Sequence, residues 1–99
     1  MVEIHQCDRD RLVECAKLFR DVYAEEPLQV HWSLERALEY LSRIYHLDPD
    51  SCYIAEDRQQ IIGAIFGYTF PWSSGTDLFI QELIVKREYR GRDIRESLI

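Results

Sequence analysis

A cluster of basic residues lies between positions 86 and 95 of an otherwise acidic chain. The whole sequence carries a formal net charge of −6, yet this stretch sets Lys86, Arg87, Arg90, Arg92 and Arg95 against only Glu88 and Asp93. Basic side chains form charge-assisted hydrogen bonds with phosphates, and an acidic remainder argues against general nucleic-acid binding. The stretch therefore predicts a site for a small anionic ligand.

This basic cluster includes a turn that leads into a short helical pattern. Tyr89, Arg90 and Gly91 form the turn, and Ile94 and Leu98 follow at helical spacing. The first N–H groups of a helix are unpaired and its N-terminus carries partial positive charge, so a pyrophosphate satisfies both. Glycine lets the backbone approach phosphates closely. We expect a pyrophosphate to bind where this helix begins.

The elements that must position this turn are predicted from their periodicity. Apolar residues at helical spacing predict helices over 12–23 and 34–45. Strand patterns cover 2–7, 52–55, 61–70 and 78–85, with a turn at 57–60 and a loop at 71–75. The predicted order is β-α-α-β-β-β-α within a single domain over 1–99. Consecutive strands after the helices predict an α+β fold with a mainly antiparallel sheet flanked by helices.

The stretch 78–98 resembles the coenzyme A-binding core of the GNAT superfamily of N-acetyltransferases. In that family a strand with a Leu-x-Val-like end leads through a Tyr-Arg-Gly turn into a helix. The family signature is Arg/Gln-x-x-Gly-x-Gly/Ala, and here its positions are Arg90, Gly91, Arg92, Asp93, Ile94 and Arg95. The order of elements also matches the family. The segment 22–27, with Trp32 after it, is weakly similar to bacterial members related to aminoglycoside acetyltransferases.

The resemblance implies transfer of an acetyl group from acetyl-CoA, as cosubstrate, to the amine of a small molecule or a peptide. It assigns the six signature positions to the pyrophosphate. The backbone of Leu83, Ile84 and Val85 is assigned to pantetheine and the thioester carbonyl. Glu82 lies on the fourth strand, where many members place the carboxylate that deprotonates the acceptor amine. The alternative for Glu82 is a carboxylate at the sheet rim, bonded to a backbone group.

An acceptor pocket is expected between the two long helices. Acidic groups there would suit a cationic amine. The alternative is a solvated loop with one aromatic side chain packed on the core, and a loop anchor in the case of Trp72. The candidate acceptor-binding residues are Tyr23, Glu25, Glu26, His31, Trp32 and Trp72.

Asp93 and Arg95 depart from the family signature. They occupy the positions where the family has glycine, and glycine or alanine. A carboxylate at position 93 would repel a pyrophosphate, and a long side chain at position 95 would occupy phosphate space while its charge partly compensates. As helix residues, both are ordinary: Asp93 suits a first turn, and Arg95 suits a solvent-facing position.

The sequence printed here stops at Ile99, whereas the family continues into a fifth strand that leads to a tyrosine acting as general acid. The expected fold is therefore a truncated GNAT fold whose fourth strand has an unpaired edge. One hypothesis is an acetyltransferase completed by a dimer or by a partner chain. The other is an inactive module that serves as an interaction or structural element.

Composition limits the remaining possibilities. Hydrophobic residues make up 46% of the chain and charged residues 30%, which is typical of a globular domain. No apolar run reaches the roughly 20 residues of a membrane span, and no signal-peptide pattern is present, so we expect a cytoplasmic protein without membrane contact. Cys7, Cys15 and Cys52 have no metal or redox spacing and are expected to be buried free thiols. No metal site is predicted.

Overall fold

The computed structural model, which describes residues 1–91 and 93–99, contains an antiparallel sheet of four strands in the order β1-β2-β3-β4. The strands are β1 (Val2–Gln6), β2 (Cys52–Asp57), β3 (Gln60–Trp72) and β4 (Gly75–Val85). The helices are α1 (Leu12–Ala24), α2 (Leu34–Leu47) and α3 (Ile94–Leu98). The predicted α+β class and the predicted element order are confirmed.

Local sequence signals determine where the two long helices begin and end. Ser33 is extended and its side-chain oxygen accepts a 3.1 Å hydrogen bond from the amide of Arg36, which caps the start of α2. Helix α1 ends at Ala24, and Glu25 has extended dihedrals. Pro27 follows two residues later and disfavours helical dihedrals at Glu26, the residue directly before it. The loop between the helices therefore starts beside the C-terminal turn of α1.

The sheet is covered on both faces by apolar contacts. Phe19 of α1, Leu41 of α2 and Phe66 of β3 belong to the larger buried cluster. Ile94 and Leu98 of α3 bury their side chains in a second cluster on the opposite face. Burying such side chains contributes about 1.5–3 kcal/mol each. This second cluster fixes the segment that follows the basic turn.

The β3–β4 hairpin is longer than the sequence pattern predicts. The predicted loop over 71–75 is wrong, because Pro71 pairs with Thr76 and Trp72 pairs with Gly75 inside the hairpin. Beyond Phe66, β3 has β4 as its partner strand but no longer pairs with β2. A proline lacks an amide hydrogen and is tolerated where a strand has one open edge. The open edge explains why Pro71 does not end the strand.

No helix in the described part of the chain is long and apolar enough to cross a membrane. The cysteines Cys7, Cys15 and Cys52 are all buried free thiols, as the sequence analysis predicts.

Candidate functional site

Glu82 on β4 is held by two tyrosines from the helices that cover the sheet. Tyr23 of α1 donates a 2.8 Å hydrogen bond to Oε1 of Glu82. Tyr40 of α2 donates a 2.6 Å hydrogen bond to Oε2. Each carboxylate oxygen therefore accepts one phenolic hydroxyl, and the group has the fixed orientation that a general base requires.

An irregularity in β4 places Glu82 at this position. Phe66 pairs with Glu82 and Gly67 pairs with Ile80, so Gln81 is an extra residue without a partner in β3. Such a bulge bends the strand and redirects neighbouring side chains. Gln81 also donates a 3.0 Å hydrogen bond to the hydroxyl oxygen of Tyr40. The bulge thus supplies both the carboxylate and a group that orients one of its partners.

Aromatic rings surround the two tyrosines. The ring centroids of Phe19 lie 4.4 Å from Tyr23, 5.1 Å from Trp32 and 5.5 Å from Tyr40. Pairs in this range prefer tilted and edge-to-face arrangements, and the ring of Trp32 lies at 72° to that of Phe19. The indole Nε1 of Trp32 is buried and has no hydrogen-bond partner among the described residues. These rings form one rigid wall beside Glu82.

Both tyrosines are held in the neutral form. Burial raises the pKa of Tyr23, and the hydrogen bond to Glu82 raises it further. Burial and the hydrogen bond to Glu82 likewise raise the pKa of Tyr40, although the hydrogen bond from Gln81 opposes that shift. A neutral phenol remains a hydrogen-bond donor to the carboxylate over the physiological pH range.

A cleft of about 390 Å³ runs from the end of β4 to the basic turn. Val22 and Tyr89 contribute to its wall, and Glu96 lies at its turn end. The cleft also gathers eight of the nine residues that the sequence predicts for the cofactor, namely Leu83, Ile84, Val85, Arg90, Gly91, Asp93, Ile94 and Arg95. Arg92, the ninth, lies outside the described residues. Their role in binding remains a prediction.

Two described residues of the basic turn have left-handed backbone, and one of them is an aspartate. Gly91 has φ of 84° and Asp93 has φ of 61°, both left-handed. Glycine adopts this region freely, and Asp and Asn are the side chains that tolerate it best. Asp93 therefore has a backbone conformation that favours glycine at this position, and it adds a carboxylate there.

Arg90 is engaged by the protein itself. Its Nε donates a 3.0 Å hydrogen bond to the carbonyl oxygen of Val85. Its Nη2 lies 2.9 Å from Oε1 of Glu25, an ion pair without the alignment of a hydrogen bond. The sequence predicts Glu25 in the acceptor pocket, but the structure places it against the basic turn. Glu25 directly follows the last residue of α1, so the position of that helix brings Glu25 to the turn, and the sequence pattern does not reveal this contact.

Other predicted acceptor residues lie apart from Glu82. Trp72 is 65% exposed at the end of the hairpin, where its ring contacts that of Phe70. The side chains of Glu26 and His31 are exposed in the loop between α1 and α2. Of the predicted acceptor residues, Tyr23 and Trp32 belong to the ring cluster beside Glu82. The longer hairpin accounts for the position of Trp72, because it moves the tip away from the helices.

Tyr40 and Phe19 contribute to the site but are absent from the predicted site residues. Phe19 falls on the apolar stripe of α1 and therefore resembles any core residue. Tyr40 directly precedes the buried Leu41 on α2. A tyrosine that borders an apolar stripe can direct its hydroxyl at a partner across the interface, and this signal was available in the sequence.

Solved structures with the same fold come from several different organisms. PH1933 from Pyrococcus horikoshii OT3 aligns with a TM-score of 0.79 at 18% identity, covering 99% of this chain and 66% of that chain. An acetyltransferase of the GNAT family from Staphylococcus aureus Mu50 aligns with a TM-score of 0.73 at 19% identity, covering 99% and 61%. Naa50 from Arabidopsis thaliana, in complex with the bisubstrate analogue CoA-Ac-MVNAL, aligns with a TM-score of 0.65 at 18% identity, covering 98% and 58%.

These likenesses concern the fold, and this chain spans between 58% and 66% of the length of those structures. No curated protein matches the sequence. The model of the acetyltransferase (GNAT) family matches residues 12–98, which include both long helices, the last three strands and the basic turn. The chain belongs to the acetyltransferase (GNAT) family.

Proposed function

We propose that this chain transfers an acetyl group from an acetyl thioester to an amine, with Glu82 as the general base. The observation that carries this proposal is the hydrogen-bonded carboxylate of Glu82, fixed by Tyr23 and Tyr40. Glu82 directly precedes Leu83, where the wall of the cleft begins. The groups proposed for the base and for the thioester thus follow one another along β4.

The proposed chemistry divides between side chains and backbone. Acetyl-CoA, when bound, supplies an activated acetyl group as a thioester. Glu82 takes the proton that the amine loses as its nitrogen forms the bond to the acetyl carbonyl carbon. The carbon–sulfur bond of the thioester then breaks, and the thiolate leaves and takes a proton from solvent. Tyr23 and Tyr40 keep the carboxylate oxygens of Glu82 oriented throughout. The main chain of Leu83, Ile84 and Val85 positions the donor, which provides rate through orientation rather than through acid–base chemistry.

We propose a cationic amine, from a small molecule or a peptide, as the acceptor. The rings of Tyr23, Trp32 and Tyr40 stand beside the carboxylate, and aromatic faces together with a negative charge favour a cation. The bound analogue in the Naa50 structure joins coenzyme A to a peptide, which supports peptide amines as one class to test.

The activity is tested with purified protein, acetyl-CoA and a panel of amines that spans arylalkylamines, polyamines, aminoglycosides and short peptides. Mass spectrometry of the acceptor should detect a gain of one acetyl group that depends on the protein and is greatly reduced in Glu82→Gln. The same yield from wild type and from Glu82→Gln would refute the assignment of the base.

A second candidate function is a non-catalytic interaction or structural module. Asp93 and Arg95 favour it, because both line the turn end of the cleft, where the family resemblance puts the pyrophosphate. In that case wild type should bind acetyl-CoA weakly, and Asp93→Gly with Arg95→Gly should tighten binding at least about tenfold in calorimetry. Micromolar affinity in wild type, or no gain in the double variant, would contradict the weak-binding explanation.

We further propose that another strand, from a second copy or a partner chain, completes the sheet along β4. Among the described residues β4 pairs with β3 alone, and Leu78 and Phe79 are exposed on it. An edge strand of this kind presents unpaired N–H and C=O groups. Sedimentation over a concentration series should show dimers or larger species, and a monomer at every concentration would exclude self-pairing.

The buried free thiols support a reducing compartment such as the cytoplasm.

A further inference from the structure

The two ends of the cleft have different chemistry. At the strand end, Leu83 and Val85 are half-buried and pack against the apolar cluster under α3. At the turn end, the described lining includes Arg90, Asp93 and Arg95. An elongated ligand that spans the cleft therefore meets main chain and apolar groups first and charged groups last.

Arg90, at the turn end of the cleft, is already neutralised by a carboxylate of the protein. Glu25 faces Arg90 across 2.9 Å, and its side chain is only 24% exposed, against 43% for Arg90. The second contact of Arg90, to the carbonyl of Val85, holds the guanidinium against the end of β4. A phosphate that approaches Arg90 has to displace Glu25 and leave that half-buried carboxylate without its partner, which is unfavourable.

Further carboxylates offset the remaining positive charge that the structure describes at this end. Arg95 lines the cleft together with Asp93 and Glu96. Position 93 is left-handed, a conformation that the glycine of the family signature would adopt without strain, so Asp93 differs from that glycine chiefly in its charge. A pyrophosphate requires excess positive charge beside any free N–H donors, and the described groups at this end do not supply that excess.

We propose that this cleft selects acyl thioesters of pantetheine that carry at most one phosphate and discriminates against the pyrophosphate of acetyl-CoA. The proposal rests on the acyl-transfer function proposed above and specifies its donor. Contacts along β4 recognise the pantetheine arm, which all these thioesters share. Glu25, Asp93 and Glu96 repel the additional phosphates that distinguish acetyl-CoA.

Calorimetry with three donors tests the proposal. Acetyl-pantetheine has no phosphate, acetyl-4′-phosphopantetheine has one, and acetyl-CoA has the pyrophosphate and a further phosphate. We expect acetyl-pantetheine to bind at least about tenfold more tightly than acetyl-CoA at an ionic strength of about 0.05 M, and this ratio to shrink at about 0.5 M, where salt screens the repulsion. Tighter binding of the singly phosphorylated donor than of acetyl-pantetheine would place one phosphate in the cleft.

Charge-neutralising variants separate repulsion from other causes. Glu25→Gln and Asp93→Asn should each tighten acetyl-CoA binding several-fold while acetyl-pantetheine affinity stays within about twofold. Asp21→Asn removes an exposed acid from α1 that does not line the cleft, and it should change neither affinity. Thermal unfolding of each variant checks that the fold is retained.

The possible failures are distinguishable. If wild type binds acetyl-CoA more tightly than acetyl-pantetheine, or if neutralising Glu25 and Asp93 leaves acetyl-CoA affinity unchanged, the charge discrimination is wrong while the acyl-transfer function stands. If none of the three donors binds to wild type or to the variants, both proposals fail.

Discussion

The carboxylate of Glu82 and the hydroxyl of Tyr40 are joined by a 2.6 Å hydrogen bond between a strand bulge and a helix. The second oxygen of Glu82 accepts from Tyr23 at 2.8 Å. Both donors come from helices that share one apolar cluster with the sheet, so the orientation of the carboxylate depends on core packing. The roles of Glu82, Tyr23 and Tyr40 can therefore be tested by measuring the activity and the stability of variants.

Replacing Glu82 by glutamine keeps its size but removes the proton acceptor. We expect the rate constant of acetyl transfer to fall about 10²–10⁴-fold with KM within a few-fold, because a general base acts in the transition state more than in substrate binding. Steady-state kinetics over a pH series measures this effect. Glu3→Gln, on the far edge strand β1, is the matched control. A pH–rate profile identical to that of wild type would remove Glu82 from the mechanism.

Tyr23→Phe should alter stability at alkaline pH. Burial and then the hydrogen bond to Glu82 raise the pKa of Tyr23 in the folded protein, whereas a tyrosine in the unfolded chain titrates near about 10. The folded state holds the proton of Tyr23 more tightly than the unfolded state does. The resulting contribution to the free energy of unfolding is complete below about pH 10 and is lost as pH rises toward the folded pKa.

Urea unfolding between about pH 8 and pH 11 should therefore show that the free energy of unfolding declines less steeply with rising pH in Tyr23→Phe than in wild type. Tyr53→Phe removes the hydroxyl of an exposed tyrosine on β2 and should leave the decline as it is in wild type. Equal slopes for wild type and Tyr23→Phe would contradict the assigned environment of Tyr23.

The contact between Tyr89 and Asp57 predicts how the stability of the protein changes at acidic pH. Tyr89 donates a hydrogen bond to Oδ2 of Asp57, and this bond is the main reason why the pKa of Asp57 lies below its ordinary value. The contribution is present above the unfolded pKa of about 3.9 and is lost as pH falls through the folded pKa.

We therefore expect Tyr89→Phe to be less stable than wild type at neutral pH, with a smaller further loss between about pH 5 and pH 2. Asp57→Asn should also show a smaller acid loss, and the double variant should lose less than the sum of the two single changes, because both weaken the same hydrogen bond. Asp57→Asn in addition removes the ion pair with the N-terminal amine. Additive losses in the double variant would show that the two side chains act independently.

Gly67 lies at the register shift between β3 and β4, where the structure requires a glycine. A Cβ at this position would lie 2.6 Å from the carbonyl oxygen of Phe79, closer than such atoms approach. Gly67→Ala should therefore destabilise the protein by about 1–3 kcal/mol, as overpacking commonly does. Gly75→Ala is the control, because a Cβ there has no neighbour within 4 Å among the described residues. Equal unfolding free energies for the two variants would show that the hairpin adjusts without cost.

Local patterns were sufficient to predict much of the fold. The cap at Ser33 and the apolar stripe after it predict α2, and alternating or apolar runs predict the four strands with shortened hairpin ends. Eight of the residues that the family resemblance assigns to the cofactor line one cleft, because the turn around Gly91 follows closely after β4 in sequence. Contacts of this kind depend on spacing along one element.

The sequence could not predict contacts between distant elements. Tyr23 and Glu82 are 59 positions apart, and their meeting depends on a single extra residue, Gln81, in β4. The pairing of Arg90 with Glu25 depends on where the end of α1, and the loop that begins there, lie over the sheet. Register and loop path are set by packing of the whole core, so no local pattern reveals them.

The two tryptophans of this chain occupy contrasting surroundings. Trp32 packs among the rings of Phe19, Tyr23 and Tyr40, whereas Trp72 is largely solvated at the hairpin end. A Trp72→Phe protein would consequently emit from an indole beside Glu82 alone. Its fluorescence would report on acceptor binding without any attached dye, and the complementary Trp32→Phe protein would report only on events at the hairpin tip.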